Sequence, residues 1–574
     1  MSEAALPGSS PAAPVLARLA RWPAASLLVL CLILWLPGVF VLPPLDRDES
    51  RFSQASKQMV ETGDFVDIRF SSGTRYNKPV GIYWLQSAAT ELFGTRAHDR
   101  IWTYRVPSLI GGYLSLLLVF WCARAFAPPQ TAFAAAALLG ATVLMTGETQ
   151  IATTDAVLLA TILGAQAVLM RLYLAERGAH SVRPGRNLVL AGWVAFAIGV
   201  LVKGPVIAAV LGVTALALSL WDRDWRWLKA TRPLAGLLVT AVVVLPWMIA
   251  IQIQSRGAFY KQSLGHDFAA KIMSGQESHG APPGYYLALA TLTLWPAVLF
   301  VLPGLREGVM RRQEPAIRYL LAWAGASWLM FELVPTKLPH YILPAYPALA
   351  ILAAVWALAP SAAVETGWAR ALRYFASAQF LVGLIAFPLV AIVAPAKFGT
   401  GTTIGLEAVA ALGAAIGAGA LAFFFVGRRI AAMGAAIAAA VVLIPLLTVG
   451  VAPRLGALWL SPRVAALVAK DRRAGDPPPV IAGYAEPSLI FLLGTQTQIV
   501  GPGADAAKIA AQQGGLALIE DRQRDAFLAE LGALDTEAFA VEALDGYDYS
   551  NGRKMHITIY RVAAAPQPTT PPAE

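Results

Sequence analysis

The chain has 574 residues, of which 57% are hydrophobic and only 14% are charged. A water-soluble domain carries about 25% charged residues, so this composition excludes a single soluble globular fold. The formal net charge is +10, but the first 450 residues carry 34 basic and 21 acidic residues, whereas the last 124 carry 11 and 14. A basic excess confined to the apolar part is typical of a membrane protein and argues against a nucleic-acid partner.

Long apolar runs follow one another along the first 450 residues, and runs of this length predict about thirteen transmembrane helices. They lie near 24–43, 104–123, 131–147, 153–172, 187–202, 204–221, 234–253, 285–303, 316–334, 340–359, 374–394, 404–426 and 430–450. The first run follows Arg18 and Arg21 and is longer than a signal-peptide core. Since no clear small-residue cleavage site follows it, we predict an uncleaved span.

The loops between these runs differ in charge on alternate sides. One side, which includes the amino terminus, carries 19 basic and 7 acidic residues, and the other side carries 15 and 14 before residue 451. Basic loops stay in the cytoplasm, so we predict a cytoplasmic amino terminus and an outer, periplasmic placement of the long segments 44–103, 254–284 and 451–574.

Two of these long segments contain further predicted elements. In the first outer loop, residues 49–61 and 79–93 show the mixed spacing of amphipathic helices that lie in the membrane interface. From residue 451 to 562, short apolar runs alternate with helical patterns, which predicts a small α/β domain. Residues 563–574 are rich in Pro and Thr and are predicted to be disordered. The predicted architecture is therefore a polytopic α-helical membrane domain (1–450) with a carboxy-terminal periplasmic α/β domain.

Ionisable residues near a membrane are functional candidates by default, because burying them is costly. Asp48 and Glu49 follow the first span directly and could act as a general base, orient a substrate or bind a divalent cation. The alternative is an ordinary helix start, since acidic residues in a first turn favour the helix dipole.

Lys78 precedes Pro79 and an aromatic-rich helix, with Tyr76 and Tyr83 beside it. A lysine next to a helix amino terminus can hold a phosphate, although snorkelling to lipid head groups explains the same pattern. Asp155 lies at the outer start of the fourth span, with Glu148 nearby. It is a candidate for a catalytic role, and a helix cap is the alternative.

The remaining candidates lie in two later outer segments. His266 and His279 each stand near a carboxylate in the second long loop, but their spacing matches no strong zinc pattern, so we expect substrate contact or ordinary loop polarity. Lys337, His340 and Tyr341 stand between prolines before the tenth span. They could complete an anion site, and interfacial anchoring is the alternative.

Several of these motifs together resemble one family. The chain is similar to the aminoarabinose transferase branch of the bacterial polyprenyl-phosphate-dependent glycosyltransferases, which is related to protein O-mannosyltransferases and has the GT-C membrane fold. The motifs that carry the resemblance are Asp48-Glu49-x-Arg51, Glu61-Thr62-Gly63-Asp64-Phe65, Tyr76-Asn77-Lys78-Pro79 with Tyr83-Trp84, and Lys337-Leu338-Pro339-x-Tyr341-Ile342-Leu343-Pro344.

The resemblance implies that a sugar is transferred from undecaprenyl phosphate to an acceptor, such as lipid A of lipopolysaccharide, at the periplasmic face of the bacterial inner membrane. Asp48 then matches the catalytic carboxylate of the first loop, and Asp155 matches a second functional carboxylate. Arg51, Lys78 and Tyr341 match groups that hold the lipid phosphate. One position departs from the family, which usually has an acidic residue where this chain has Asn77. A neutral sugar or a uronic acid fits that change.

The residues leave three alternatives. The chain could transfer sugar to another envelope glycan or protein, it could be a transporter or flippase of lipid-linked sugars, or it could be an O-antigen ligase or polymerase. A transporter predicts ionisable residues near span centres and repeated halves, whereas here they gather in outer loops. No nucleotide-binding loop is expected, because the lipid-linked donor arrives activated. A divalent cation is a candidate cofactor, with no ligand set assigned.

Overall fold

The computed structural model describes residues 12–45, 47–179, 182–263, 280–360 and 367–564. The helices before residue 264 are α1 (Ala12–Arg21), α2 (Pro23–Leu34), α3 (Leu36–Val41), α4 (Asp48–Thr62), α5 (Gly81–Phe93), α6 (Ile101–Ala123), α7 (Pro129–Gly140), α8 (Val143–Gln150), α9 (Asp155–Glu176), α10 (Arg186–Lys203), α11 (Val206–Asp222), α12 (Pro233–Gln254) and α13 (Ala258–Tyr260). Those after residue 280 are α14 (Tyr285–Thr293), α15 (Val298–Met310), α16 (Pro315–Leu333), α17 (Tyr346–Leu358), α18 (Gly367–Phe398), α19 (Ile404–Phe425), α20 (Arg429–Pro445), α21 (Leu460–Asp471), α22 (Pro487–Leu493), α23 (Gly503–Gln513) and α24 (Asp521–Ala533).

Strands are few and lie in two places. A short hairpin in the first loop consists of β1 (Arg69–Phe70) and β2 (Gly73–Thr74), and the sheet near the carboxy terminus consists of β3 (Val480–Ala482), β4 (Gln498–Val500), β5 (Gly515–Glu520), β6 (Ala538–Asp548) and β7 (Arg553–Val562). Two short 3₁₀ helices, 226–231 and 339–345, also matter for the sites below.

Within the described residues, nine helical segments are long and apolar enough to cross a membrane, or ten if the bent pair α7 and α8 is one span. They are Pro23–Val41, Ile101–Ala123, Asp155–Glu176, Arg186–Lys203, Pro233–Gln254, Pro339–Leu358, Gly367–Phe398, Ile404–Phe425 and Arg429–Arg454. The expected polytopic helical membrane architecture is thereby confirmed. The count of thirteen spans stays a prediction.

The structure shows why the sequence pattern suggested more spans. The run near 131–147 forms α7 and α8, which meet at 64°. The run near 285–303 forms α14 and α15, with a break between them. Helix α11 covers only 17 residues, and α16 contains Arg318 and Glu332 within its 19 residues. A polar break or a bend is hard to see in a composition window, because the flanking residues remain apolar.

Helix α4 differs from the predicted interfacial helix because it is buried over most of its surface. Its residues from Glu49 to Met59 are buried except for the half-buried Arg51. Several polar side chains on it have partners: Ser56 donates to Gln86 Oε1 at 2.7 Å, and Gln58 donates to the carbonyl of Ser71 at 2.8 Å. Hydrogen bonds of this kind offset part of the cost of burying a polar helix.

The carboxy-terminal sheet has the strand order β4-β3-β5-β7-β6. Strand β3 pairs in parallel with β4 and β5, while β7 is antiparallel to β5 and β6. Separate apolar clusters cover its two faces, one built around Val464 and Leu518 and the other around Ala507 and Ile519. The predicted alternation of strands and helices is thus present. Residues 565–574, most of the predicted disordered tail, lie outside the described residues.

The terminal domain rests on α4 and the start of α6. Gln54 donates to Thr495 Oγ1 at 2.7 Å, and Thr495 donates to Glu61 at 2.5 Å. The ring of Phe491, in α22, meets Tyr104 edge-on with 5.5 Å between centroids. The back of α4 is therefore covered by the terminal domain, while its first turn faces the site described next.

Candidate active site

A buried ion pair forms the centre of the candidate site. Asp155 is the first residue of α9, and Lys203 is the last residue of α10. The Lys203 ammonium donates to both carboxylate oxygens of Asp155, at 2.7 and 2.9 Å, and Thr154 donates to one of them at 2.9 Å. Since both charged side chains are only 7% exposed, each supplies the charge that the other needs in order to be buried.

His340 lies between this pair and a second carboxylate. Its Nε2 is 3.8 Å from Asp155 Oδ2, and its Nδ1 is 3.8 Å from Glu148 Oε1. Glu148 accepts a further hydrogen bond from Thr153 at 3.0 Å. At 19% exposure the His340 side chain is the most accessible of these groups, so the cluster opens outward at the imidazole.

Asp48 and Lys78 approach the same cluster from the first loop. Both lie within electrostatic range of His340, and Asp48 also lies within range of Glu148 and Tyr83. Asp48 is exposed and Lys78 is half-buried. The site therefore contains at least two cations, Lys78 and Lys203. It also contains the carboxylates of Asp48, Glu148 and Asp155. Its more accessible edge carries the positive charge of Lys78 and the negative charge of Asp48.

Close backbone contact explains how the first loop reaches α10. A Cβ at Gly81, where α5 begins, would stand 2.7 Å from the carbonyl oxygen of Leu201, so only glycine permits this approach. Gly204 has φ +64° and lies against the ring of Pro79. The segment that carries Lys78 is thus held against the end of α10 that carries Lys203.

Glu49 has a different environment from Asp48, although the two are adjacent. It forms an ion pair with Arg105 in which the Arg105 Nε and Nη2 atoms donate to the two carboxylate oxygens at 2.7 and 2.8 Å. The backbone amides of Ala152 and Leu45 also donate to it, each at 2.8 Å. Both oxygens are thus engaged and the side chain is 1% exposed, so we propose that Glu49 positions α4 rather than reacting.

The two predicted tyrosines have different surroundings. Tyr83 is fully buried in α5, and its ring centroid is 5.5 Å from that of Phe52. Tyr76 is also buried and donates to Asp67 Oδ1 at 2.6 Å. Burial and this carboxylate raise the pKa of Tyr76, so its phenol remains a hydrogen-bond donor. Tyr76 thereby shapes the first loop, and its role towards a substrate stays a prediction.

The other predicted residues are placed as follows. The Tyr341 ring lies 5.0 Å from the Lys203 ammonium, which makes it a wall of the site. Arg51 is half-buried, one turn along α4 from Asp48. Lys337 is buried and donates to the carbonyl of Val334 at 2.7 Å, and the ion pairs found around Asp155 among the described residues do not include it. His266 and His279 lie outside the described residues.

Glu148, Asp155 and His340 are the group that could be considered for a metal, since one ligand atom from each lies within 4.8 Å of the others. The arrangement fits a bound cation poorly. Lys203 already occupies both oxygens of Asp155, and the two imidazole nitrogens face different carboxylates. A cation bound to all three would have to displace the ammonium, so no step is assigned to a metal.

Sequence reasoning missed Lys203 and Arg105. Lys203 was interpreted as a break between two spans, yet it is the ionisable residue in the apolar run 187–203 and is followed by Gly-Pro. Arg105 is the second residue of the predicted span 104–123, and no role was predicted for it. Ionisable residues at membrane depth face the protein interior and mark functional sites, and this rule would have found both.

Several known proteins are similar to this chain in sequence. Residues 77–249 match the family model described as dolichyl-phosphate-mannose-protein mannosyltransferase. The undecaprenyl phosphate-alpha-4-amino-4-deoxy-L-arabinose arabinosyl transferase of Edwardsiella ictaluri is 31% identical over 363 residues, which cover 63% of this chain and 62% of the relative. The protein of the same name from Pseudomonas paraeruginosa is 28% identical over 326 residues, covering 55% and 57%. The chain thus spans about three fifths of the length of these curated relatives.

Solved structures extend the likeness to the whole fold. The crystal structure of ArnT from Cupriavidus metallidurans bound to undecaprenyl phosphate matches with a TM-score of 0.73 at 19% identity, covering 97% of this chain and 100% of that one. The archaeal oligosaccharyltransferase AglB from Archaeoglobus fulgidus matches with a TM-score of 0.51 at 11% identity, covering 96% and 75%. The chain therefore has the GT-C membrane fold. Within that class its fold is that of ArnT, which confirms the resemblance stated from the motifs.

Proposed function

We propose that this chain is an integral-membrane glycosyltransferase that moves a sugar from an undecaprenyl-phosphate donor to an acceptor at the periplasmic face, with lipid A as the leading acceptor. The observation that carries the proposal is the convergence of Asp48, Lys78, Asp155, Lys203 and His340 on one site at one end of the helix bundle. The names of the similar proteins support a polyprenyl-phosphate donor.

The cations of the site suit a lipid phosphate. In the proposed reaction the acceptor oxygen forms a bond to the anomeric carbon as the bond from that carbon to the phosphate oxygen breaks. Undecaprenyl phosphate leaves with the bonding electrons. Lys78 and Arg51 stabilise the charge that develops on the phosphate, with Tyr341 as a further contact and Lys337 behind it. Such preorganised groups act most strongly where water is excluded.

Asp48 is the carboxylate best placed to touch the acceptor, because it is exposed while Asp155 is already held by Lys203. With a hydroxyl acceptor, Asp48 removes the proton as the bond forms. With a phosphate acceptor no base is needed, and Asp48 then orients the acceptor or stabilises positive charge at the anomeric carbon. Either way a single displacement inverts that carbon. Asp155 is a positioning residue that fixes the ammonium of Lys203.

We further propose that the site faces the periplasm of a bacterial inner membrane, with the amino terminus in the cytoplasm. The charge difference between alternate loops supports this orientation. The membrane domain of residues 1–450 would carry the catalytic residues, and the α/β domain of residues 451–562 would stand in the periplasm. Asn77, where aminoarabinose transferases usually have an acidic residue, favours a neutral sugar or a uronic acid over aminoarabinose.

The decisive experiment replaces the exposed carboxylate. Asp48→Asn should lower sugar transfer in reconstituted membranes by at least about 100-fold, because it removes the group that acts on the acceptor. The unfolding temperature and the affinity for undecaprenyl phosphate should stay unchanged. Asp99→Asn, an exposed carboxylate of the same loop, serves as the matched control. Full transfer in Asp48→Asn would contradict the proposed role.

The phosphate side of the site is tested separately. Lys78→Ala should weaken binding of undecaprenyl phosphate by about tenfold or more, since a charge-assisted hydrogen bond contributes on the order of 1.5–3 kcal/mol. Arg96→Ala, in the same loop, should bind as the unaltered chain does. Equal affinity in Lys78→Ala and the control would mean that the phosphate lies elsewhere.

A further inference from the structure

A second site lies at the other end of α10. That helix begins at Arg186 and ends at Lys203, in the candidate active site, and its 18 residues span about 26 Å. This is close to the hydrocarbon thickness of a bilayer, about 30 Å. Features around Arg186 therefore belong to the opposite membrane surface, where the loop charges predict the cytoplasm.

Four basic residues surround one pocket there. The pocket holds about 370 Å³ and is lined by Arg183, Arg186, Lys229 and Arg232, together with Pro184, Gly185 and Ala230. Arg183 forms an ion pair with Glu176 at 2.7 Å. Among the residues that the structure describes, no carboxylate pairs with Arg186, Lys229 or Arg232. Three unneutralised cations around one concave pocket repel each other unless an anion joins them.

Several other basic residues predicted on this surface are paired with carboxylates. Arg177 pairs with Asp224 at 2.7 Å and with Asp222 at 2.9 Å. Arg318 also pairs with Asp222, and Arg311 pairs with Glu314 at 2.8 Å. The pocket differs from these pairs in that three basic residues without a carboxylate partner among the described residues, Arg186, Lys229 and Arg232, line one cavity.

An apolar groove lies next to this basic pocket, among membrane-spanning helices. It holds about 270 Å³ between α9, α10 and α11, and its lining includes Val168, Gly192, Trp193, Leu211 and Gly212. The two cavities share the short helix 226–231, in which Lys229 and Ala230 line the pocket whereas Leu228 and Thr231 line the groove. Trp193 anchors that helix by donating to the carbonyl of Thr231 at 2.7 Å.

We propose that the pocket and the groove together bind one anionic glycerophospholipid of the leaflet opposite the candidate active site. The phosphate of the head group would lie among Arg186, Lys229 and Arg232, and one acyl chain would lie along the groove. A soluble anion would use the pocket alone and leave the apolar groove empty, so the adjacency of the two cavities along one short helix favours a lipid. Basic pockets between helices at the cytoplasmic surface bind such head groups in membrane proteins.

The charge part is tested with the full chain, purified in detergent and stripped of lipid. Dioleoyl-phosphatidylglycerol should bind more tightly than the phosphatidylcholine analogue, as measured by native mass spectrometry. Replacing all three cations (Arg186→Gln, Lys229→Gln, Arg232→Gln) should weaken phosphatidylglycerol binding by about 100-fold, because each basic residue near the head group contributes about 1 kcal/mol, or about fivefold.

The matched control removes three exposed arginines that the loop charges put on the same surface but outside the pocket: Arg312→Gln, Arg370→Gln and Arg428→Gln. Since its net charge change is identical, it should alter the affinity by less than about threefold. Equal losses in the two triple variants would mean nonspecific attraction and would overturn the proposal. Inorganic phosphate that binds as tightly as the lipid would also overturn it.

The groove part does not depend on charge. A Cβ at Gly212 meets no atom within 4 Å, so Gly212→Leu can fill the groove without a clash and should lower lipid affinity by about tenfold. Gly419→Leu, in α19, also has open space at Cβ and should have no effect. This pair remains decisive even if a triple variant fails to fold. Unchanged binding in Gly212→Leu would contradict an acyl chain in the groove.

Discussion

Two buried charge assemblies lie close together in this protein, and they are built differently. In the first, Glu49 and Arg105 are 1% and 0% exposed, and Arg105 also donates to the carbonyl groups of Val39, Leu42 and Pro43. In the second, His340 stands 3.8 Å from Asp155 and is 19% exposed. In the first assembly, protein groups form hydrogen bonds with both charged side chains. In the second, the His340 imidazole is partly exposed and lies beside Asp155 without a short hydrogen bond to it.

The difference separates a structural role from a chemical one. A fully satisfied pair holds elements together and has nothing left to offer a ligand. An assembly that reaches the surface can bind a substrate, because a partly exposed group can replace a contact with the protein by a contact with the substrate. Substitutions in the two assemblies should therefore change different quantities: the free energy of unfolding in the first and the rate of sugar transfer in the second.

The largest effect is expected from Arg105→Met. It leaves the Glu49 carboxylate buried without a counter-ion, which costs about 3–5 kcal/mol of unfolding free energy. The unfolding temperature in detergent and the yield of folded protein measure it. Arg100→Met, which removes an exposed arginine just before the same helix, is the control. The double variant Glu49→Gln/Arg105→Met should recover part of the loss, because no buried charge remains.

An unfolding temperature for Arg105→Met equal to that of the control would show that the pair is not structural. The distinction between a structural assembly and a chemical one would then be wrong.

A smaller effect, and a different one, is expected from Lys203→Met. Transfer should fall by about 100–1000-fold, since a preorganised cation beside the reacting groups is lost. The free energy of unfolding should fall by less than in Arg105→Met, because Thr154 still donates to Asp155, His340 still lies 3.8 Å away and the cluster reaches the surface. Lys203→Arg should retain part of the activity, and Lys397→Met, at an exposed site, should retain all of it. Unfolding as severe as in Arg105→Met would make both assemblies structural.

Much of this site could be predicted from local patterns. Asp48, Asp155 and His340 each stand at or beside the end of a predicted span, where a polar side chain is conspicuous. Lys78 stands directly before the predicted interfacial helix 79–93. They meet because alternate span ends share one membrane surface, and a topology prediction contains that information. The fold class followed from the same runs and from the motif resemblance.

What could not be predicted depends on partners far away in the chain. Glu49 looks equivalent to Asp48 in sequence. Only the structure shows that Arg105, 56 residues later, forms a buried ion pair with Glu49. Lys203 appeared to interrupt an apolar run until Asp155, 48 residues earlier, was found beside it. The burial of α4 likewise depends on Thr495 and Phe491 of the terminal domain. Sequence spacing carries no record of such distant pairings.

The smallest effect is expected where the terminal domain touches α4, the helix whose first turn carries both Asp48 and Glu49. Thr495→Val removes a hydroxyl that accepts from Gln54 and donates to Glu61. Because such a hydrogen bond contributes about 0.5–1.5 kcal/mol, amide hydrogen exchange in α22 and α4 should rise by about tenfold or less, with transfer nearly unchanged. Thr536→Val, at a half-buried position of the same domain away from α4, should change neither. A loss of transfer as large as in Lys203→Met would mean that the terminal domain positions Asp48 through α4. Both assemblies would then depend on the contact between α4 and the terminal domain.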